Sequence, residues 1–361
     1  MVVVADDNIP LLDRMLRHCG KYHHFSGRTL TREVLRDTGC VALFVRSTTR
    51  VNEALLDGTQ VRFCATATAG SDHVDTDYLR RRGIHFFAAE GSNSNAVAEY
   101  VIWAILHWAE NLRGERETLE EFLSGKTLGI VGYGHVGSKV ALYARRLHLT
   151  VLVNDPPLRQ NHVAFPEFTA YAGLDEICAV SDIVTNHVPL ASAGEFPTRG
   201  LFSKKEIAML RDGSLFVHAS RGGVVDEAAL LARREIFAAV DVWEDEPCVN
   251  SKLVSAVWIA TPHIAGHSRE AKRMGARMVA GEFGRWYGCS PDFSPLDGET
   301  NTPEKGLSLE RLYRILCERR RIGEDSDLFK AKISAGDTEF FDEFRRNYPE
   351  RIETLRIDDG Y

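Results

Sequence analysis

The stretch Thr127-Leu-Gly-Ile-Val131-Gly132-Tyr133-Gly134-His135-Val136-Gly137 decides how this chain is read. Its first five residues form a short apolar run, as expected of a buried parallel strand. Val136, Val140, Leu142, Tyr143 and Leu147 then recur at helical spacing, so a helix starts inside the glycine motif. A second apolar run, Thr150-Val-Leu-Val153, ends in Asn154-Asp155, about twenty residues beyond the loop. Strand, G-x-G-x-x-G turn, helix, strand and acid, in that order, predict a dinucleotide site. Gly132 permits the tight turn, Gly134 lets backbone approach a pyrophosphate, and Gly137 lets the helix pack on the strand. The helix N-terminus, with its positive dipole end, then faces the phosphates. Asp155 can accept hydrogen bonds from ribose hydroxyls and would repel a 2′-phosphate, so NAD is the expected cofactor.

Strand–helix alternation extends in both directions from this unit. Val2–Ala5, Val41–Val45 and Val61–Ala65 are apolar runs upstream. Downstream lie Ile183–Thr185, Leu215–Val217, Ala238–Val242 and Val257–Ala260. Such alternation predicts an α/β chain with doubly wound parallel sheets. The expected boundary falls near Ser92–Asn95, with Ala96–Ala109 helical and Arg269–Trp286 a helix returning to the first domain. From about residue 289 the texture changes to a Pro-containing linker and a charged tail. There Leu309, Leu312, Ile315 and Leu316 make an amphipathic stripe that stops at Arg319-Arg-Arg-Ile-Gly.

Composition narrows the class. A chain of 361 residues with 44% hydrophobic content can bury a large core. Its formal charge of −7 argues against non-specific nucleic-acid binding. No run approaches the ~18 apolar residues of a membrane helix, and the N-terminus does not resemble a signal peptide. A cytoplasmic enzyme is expected. The seven scattered cysteines lack metal-site or disulfide spacing, and no metal is expected.

Three residues at or just beyond predicted strand ends suggest the chemistry. Removing hydride from C2 of a hydroxy acid requires a base for the hydroxyl proton, and histidine suits that task. His263 follows a strand end and Thr-Pro, where doubly wound sheets bind their ligands. Glu246 is assigned as the carboxylate on its other ring nitrogen, fixing the tautomer. Arg221, before two glycines, can grip a substrate carboxylate.

These motifs carry a resemblance. The run from Gly132 to Asp155, with Asn186-His-Val-Pro-Leu190, Ser220-Arg-Gly-Gly-Val-Val-Asp226, Asp241-Val-Trp-Glu-Asp-Glu-Pro247 and Pro262-His-Ile-Ala-Gly266, resembles the D-isomer-specific 2-hydroxyacid dehydrogenases. Within them the chain is most similar to the erythronate-4-phosphate dehydrogenase family. That likeness extends over Asp7-Asn8-Ile9-Pro10, Val45-Arg-Ser-Thr-Thr-Arg-Val-Asn52 and Ala65-Thr-Ala-Thr-Ala-Gly-Ser-Asp-His-Val-Asp75, and over Asp327-Leu-Phe-Lys330 and Phe344-Arg-Arg-Asn-Tyr348 in the tail.

The resemblance implies Arg221, Glu246 and His263 as the catalytic set, acting on a phosphorylated hydroxy acid with NAD. It assigns cofactor contacts to the glycine loop, Asp155, Pro189, Ala219, Asp241 and Gly266, and substrate contacts to Ser47 and Thr68. Arg46 suits a phosphate, which a guanidinium can bind through paired hydrogen bonds. His267 stands where the family typically has a substrate-contacting tyrosine, and His218 replaces a common asparagine.

The implied architecture is a flavodoxin-like substrate domain (1–94 and 263–288), a Rossmann domain (95–262) and a small α+β C-terminal domain (289–361) that makes a homodimer. Two alternatives stay open at this point. One is a dehydrogenase for another D-2-hydroxy acid, such as 3-phosphoglycerate; the other is an NAD(H)-sensing protein of the same fold.

Overall fold

Apolar runs at the centre of each unit pair in parallel, and helices cover both faces of the sheets they form. The computed structural model describes residues 1–296 and 306–355. By contact the chain divides into two units, Met1–Asn93 with His267–Thr302 and Ser94–Gly266 with Pro303–Tyr361.

In the first unit, β1 (Val2–Asp6), β2 (Lys21–Phe25), β3 (Ala42–Val45), β4 (Phe63–Thr66) and β5 (His85–Ala88) form a parallel sheet of order β2-β1-β3-β4-β5. This is the flavodoxin-like order, with its switch point between β1 and β3. Helix Arg269–Tyr287 lays Ala276, Val279, Ala280 and Phe283 on one face, against Phe44 and Phe63.

In the second unit, seven strands follow in chain order: β6 (Thr127–Val131), β7 (Thr150–Asn154), β8 (Thr169–Tyr171), β9 (Ile183–Asn186), β10 (Leu215–His218), β11 (Phe237–Val240) and β12 (Ile259–Ala260). Their order is β12-β11-β10-β9-β6-β7-β8, and every pairing is parallel. The direction of winding reverses at β6, so the loop leaving its carboxyl end opens at the switch point. Helix Ser94–Leu112 is buried almost all round and packs on helix His135–Arg146.

The tail differs from the α+β expectation. Among the described residues it carries helices Leu309–Arg320, Ile322–Ser334 and Phe340–Arg346 and no strand. The reason lies in its apolar residues, which recur at helical rather than alternating spacing, as in Leu309, Leu312 and Leu316. These helices group with the second unit, although the sequence sets 289–361 apart as a domain. The first helix ends where Arg321 adopts a left-handed conformation, φ 52°. The second covers the free side of β12: Ala260 N donates to Ser326 Oγ at 3.0 Å, and Lys330 Nζ donates to the carbonyls of Val257 and Trp258 at 2.6 and 2.8 Å. Among the described residues, no helix is long and apolar enough to cross a membrane.

Candidate active site

At the carboxyl end of the second sheet, the loops after β10, β11 and β12 bring Arg221, Glu246 and His263 forward. His263 Nδ1 lies 2.7 Å from Glu246 Oε2. The other carboxylate oxygen, Oε1, accepts from Trp243 N at 2.9 Å. An ionised carboxylate accepts at both oxygens, so Nδ1 faces it as the donor, and in the neutral imidazole Nε2 keeps the lone pair. Burial raises the Glu246 pKa, but the His263 charge and the hydrogen bonds from His263 and Trp243 outweigh it and hold the pKa below its ordinary value.

His263 has a left-handed backbone, φ 56°, a conformation a non-glycine residue keeps only when its surroundings enforce it. Here they do. His263 N donates to the Asp241 carbonyl at 2.7 Å. The Asp241 carboxylate, 1% exposed, accepts from Thr261 Oγ1, Ile264 N and Ala265 N at 2.6, 2.8 and 3.0 Å. Asp241, which the resemblance places among the cofactor contacts, anchors the loop of the proposed base through its carboxylate. Burial raises its pKa against the His263 charge and these donors.

Arg221 follows β10, and its Nη1 donates to the Ser220 carbonyl at 2.8 Å. The next residue, Gly222, lies against the loop of Glu246: a Cβ there would fall 1.8 Å from the Trp243 carbonyl oxygen. The two loops are thus interlocked by a missing side chain. Asn186, at the end of β9, accepts from Ser220 Oγ and lies 3.3 Å from His218 Nδ1. Trp243 donates Nε1 to the Thr261 carbonyl at 3.0 Å, and Tyr100 and Thr261 hydroxyls lie 3.0 Å apart. Sequence reasoning assigned no role to Trp243, Thr261, Tyr100 or Ser220. No spacing rule marks a residue that acts by holding a neighbour in place.

His218 is buried beneath this group, 3% exposed. Burial pushes its pKa down to about 3; Glu246 opposes the shift and His263 adds to it. The unfolded chain takes up this proton near the ordinary value of 6.5, the folded chain only near 3. Stability is therefore complete above the higher value and falls with pH through the window between them. His218→Asn is expected to flatten the dependence of melting temperature on pH across that window. An unchanged slope would remove His218 as a source of acid lability.

The glycine loop fits a dinucleotide. Gly137 packs so closely that a Cβ would lie 2.1 Å from the Gly132 carbonyl oxygen, whereas Gly134 faces open space at the N-terminus of helix His135–Arg146. His135 is exposed and Val136 half-buried, so backbone N–H groups and one open surface are offered to a ligand. Asp155, at the end of β7, accepts from Tyr133 N at 2.7 Å and from Leu158 N at 3.0 Å. It therefore braces the loop and caps the next helix as well as presenting charge. Pro189 is exposed in the loop after β9, and Ala219 and Gly266 flank the loops of Arg221 and His263, buried and half-buried. Asp155→Ala should weaken NAD binding, narrow the preference for NAD over NADP, and cost ~0.5–2 kcal/mol of stability through the lost cap. An unaltered NAD/NADP ratio would deny Asp155 its selectivity role.

The first unit carries the remaining candidates. Arg46 follows β3 at the switch point, and its Nε donates to Asp6 Oδ1 at 3.2 Å. Ser47 beside it is exposed. Thr68, two residues past β4, lies with its Oγ1 2.7 Å from Thr66 Oγ1 and donates to the Gly70 carbonyl at 3.1 Å. His267 is half-buried, at the start of the unit's second segment.

Comparison with known proteins places the chain in a family. Residues 103–265 match the family described as D-isomer specific 2-hydroxyacid dehydrogenase, NAD binding domain. The erythronate-4-phosphate dehydrogenase of Marinobacter nauticus is 37% identical over 369 residues, covering 98% of this chain and 93% of that one. That of Cronobacter sakazakii is 37% identical over 370 residues, covering 98% and 92%. Among solved structures, D-lactate dehydrogenase from Aquifex aeolicus, complexed with NAD and lactic acid, superposes with a TM-score of 0.63 at 22% identity, covering 79% of this chain and 95% of that one. NAD-bound 3-phosphoglycerate dehydrogenase of Entamoeba histolytica gives a TM-score of 0.64 at 21% identity, covering 84% and 99%. The solved structures share the fold; the sequence relatives share nearly the whole chain.

Proposed function

The chain belongs to the erythronate-4-phosphate dehydrogenase family of D-isomer-specific 2-hydroxyacid dehydrogenases, and from that premise we propose that it oxidises 4-phospho-D-erythronate to (R)-3-hydroxy-2-oxo-4-phosphooxybutanoate with NAD, a step toward pyridoxal 5′-phosphate. The observation that carries the chemistry is the 2.7 Å bond between His263 Nδ1 and Glu246 Oε2. It leaves the opposite ring nitrogen, Nε2, as an acceptor. NAD, held at the glycine loop, supplies the hydride acceptor. The chain's own residues do the rest. Arg221 grips the substrate carboxylate and offsets negative charge on the C2 oxygen. His263 Nε2 takes the hydroxyl proton, and Glu246 stabilises the resulting imidazolium. Arg46, Ser47, Thr68 and His267 of the first unit are the residues that the family resemblance assigns to substrate binding.

Glu246 is fixed by its own backbone neighbour, Trp243 N, so the imidazole cannot turn without breaking a charge-assisted bond. That preorganisation spares the cost of orienting the base during turnover. The cytoplasm is the proposed location, and a homodimer assembled through the tail the proposed state. Sedimentation velocity giving a monomer at assay concentration would overturn the latter.

The deciding experiment follows NADH formation with 4-phospho-D-erythronate, D-erythronate and 3-phospho-D-glycerate in parallel, with an oxoacid acceptor added in a second series. Selective turnover of the phosphorylated tetronate is expected. Preference for another acid would keep the mechanism and move the substrate; NAD binding without any turnover would turn the reading to a sensor.

A further inference from the structure

The end of helix Leu309–Arg320 reaches the loop of the proposed base. Arg320 and Glu99 form an ion pair at 3.2 Å, with side chains 1% and 0% exposed. The same Arg320 Nη1 donates to the Ala96 carbonyl at 3.4 Å, and Nη2 donates to the Ala265 carbonyl at 2.8 Å. Ala265 lies two residues beyond His263. Its own N–H is held by Asp241. The far oxygen of Glu99 accepts from Thr354 N and Leu355 N at 2.6 and 2.7 Å, while Asn95 Nδ2 donates to Glu353 Oε2 and the Leu355 carbonyl at 2.7 and 2.6 Å. One carboxylate thus clasps two stretches of tail, and one guanidinium spans that carboxylate and the loop.

We propose that Arg320 is a positioning residue for His263: the tail, fastened on Glu99, fixes the Ala265 carbonyl and with it the left-handed turn that aims the imidazole. The inference rests on the proton-acceptor role given to His263 above. Two physical points favour it over a purely cohesive role. A buried ion pair adds little cohesion that well-packed apolar side chains would not give, so adhesion alone does not account for this one. A planar fork, moreover, is the one cationic side chain that can serve a carboxylate and a loop carbonyl in fixed directions at once. Asp241 holds the 263–265 segment by its N–H groups, and Arg320 holds it by a carbonyl. With both grips in place, the strained φ at His263 is over-determined.

Two variants of the full chain test this. Arg320→Lys keeps a charge beside Glu99 and gives up the fork. The double variant Glu99→Gln/Arg320→Met removes the ion pair and leaves an amide oxygen for the N–H groups of Thr354 and Leu355. Each is compared with wild type by melting temperature, by hydrogen exchange of peptides spanning 261–266 and 350–355, by NAD affinity and by kcat. Faster exchange across 261–266 is expected in both, with NAD affinity unchanged and kcat reduced by about 10- to 100-fold, as displacement of a catalytic group produces. Folded variants with wild-type exchange over 261–266 and wild-type kcat would overturn the proposal, leaving Arg320 a stability element. A wild-type protein that turns over no hydroxy acid would defeat the oxidation reading instead, and the exchange measurement would still decide the positioning role.

Discussion

His263→Ala is expected to lower kcat by ~10²–10⁴-fold, the range associated with losing a general base, while NAD affinity stays near wild type. The expectation follows from position: the loop is held from below by Asp241, so truncating the imidazole removes the proton acceptor without releasing the backbone that carries it. Relief of the left-handed strain is small beside the loss, since alanine has a Cβ too. Added imidazole restoring part of the rate would identify the missing function as proton transfer. Near-full activity in the variant would end the assignment of His263 as base.

Glu246→Gln should come close to the same loss, for a different reason. The Trp243 N–H is a fixed donor at 2.9 Å from one carboxylate oxygen, and His263 Nδ1 lies 2.7 Å from the other. A glutamine there must offer its carbonyl oxygen to Trp243 N, which places its NH₂ group against Nδ1. The imidazole then has to accept at Nδ1 and carry its proton on Nε2, the nitrogen meant to receive one. A wrong tautomer in a well-formed site costs up to ~10⁴-fold in the serine-protease parallel. kcat lowered by ~10²–10⁴-fold with the fold intact is the expected result. The substitution is nearly isosteric, so a melting temperature close to wild type with that loss would separate chemistry from packing. A kcat within a few-fold of wild type would mean that Glu246 does not set the tautomer.

Both arguments rest on residues the sequence placed well. Gly132, Gly134, Gly137 and Asp155 are legible because glycine positions and the strand-end acid are set by local backbone geometry, and the chain folds there as their spacing implies. Arg221 and His263 are legible as residues just beyond strand ends. Other elements were not. β2 reads Lys21-Tyr-His-His-Phe25, an edge strand only partly buried, so it lacks the apolar run that reveals its neighbours. The helix Leu12–Met15 is a single turn, begun after Leu11 turns left-handed, and too short to show a periodic stripe. The hold of the Asp241 carboxylate on two backbone N–H groups and a threonine depends on the loop's fold, which its motif does not display. Glu99 and Arg320 sit 221 positions apart. Partners at that separation meet only through the fold, and no local pattern announces them.

The helix laid along β12 has one more consequence. A two-residue strand at the border of a seven-stranded parallel sheet carries backbone groups able to recruit a strand from another molecule. Ser326 takes the N–H of Ala260 and Lys330 takes the carbonyls of Val257 and Trp258 just before the strand, so the helix blocks that border against templating. Damage that peels the helix away would therefore surface as self-association and loss of solubility.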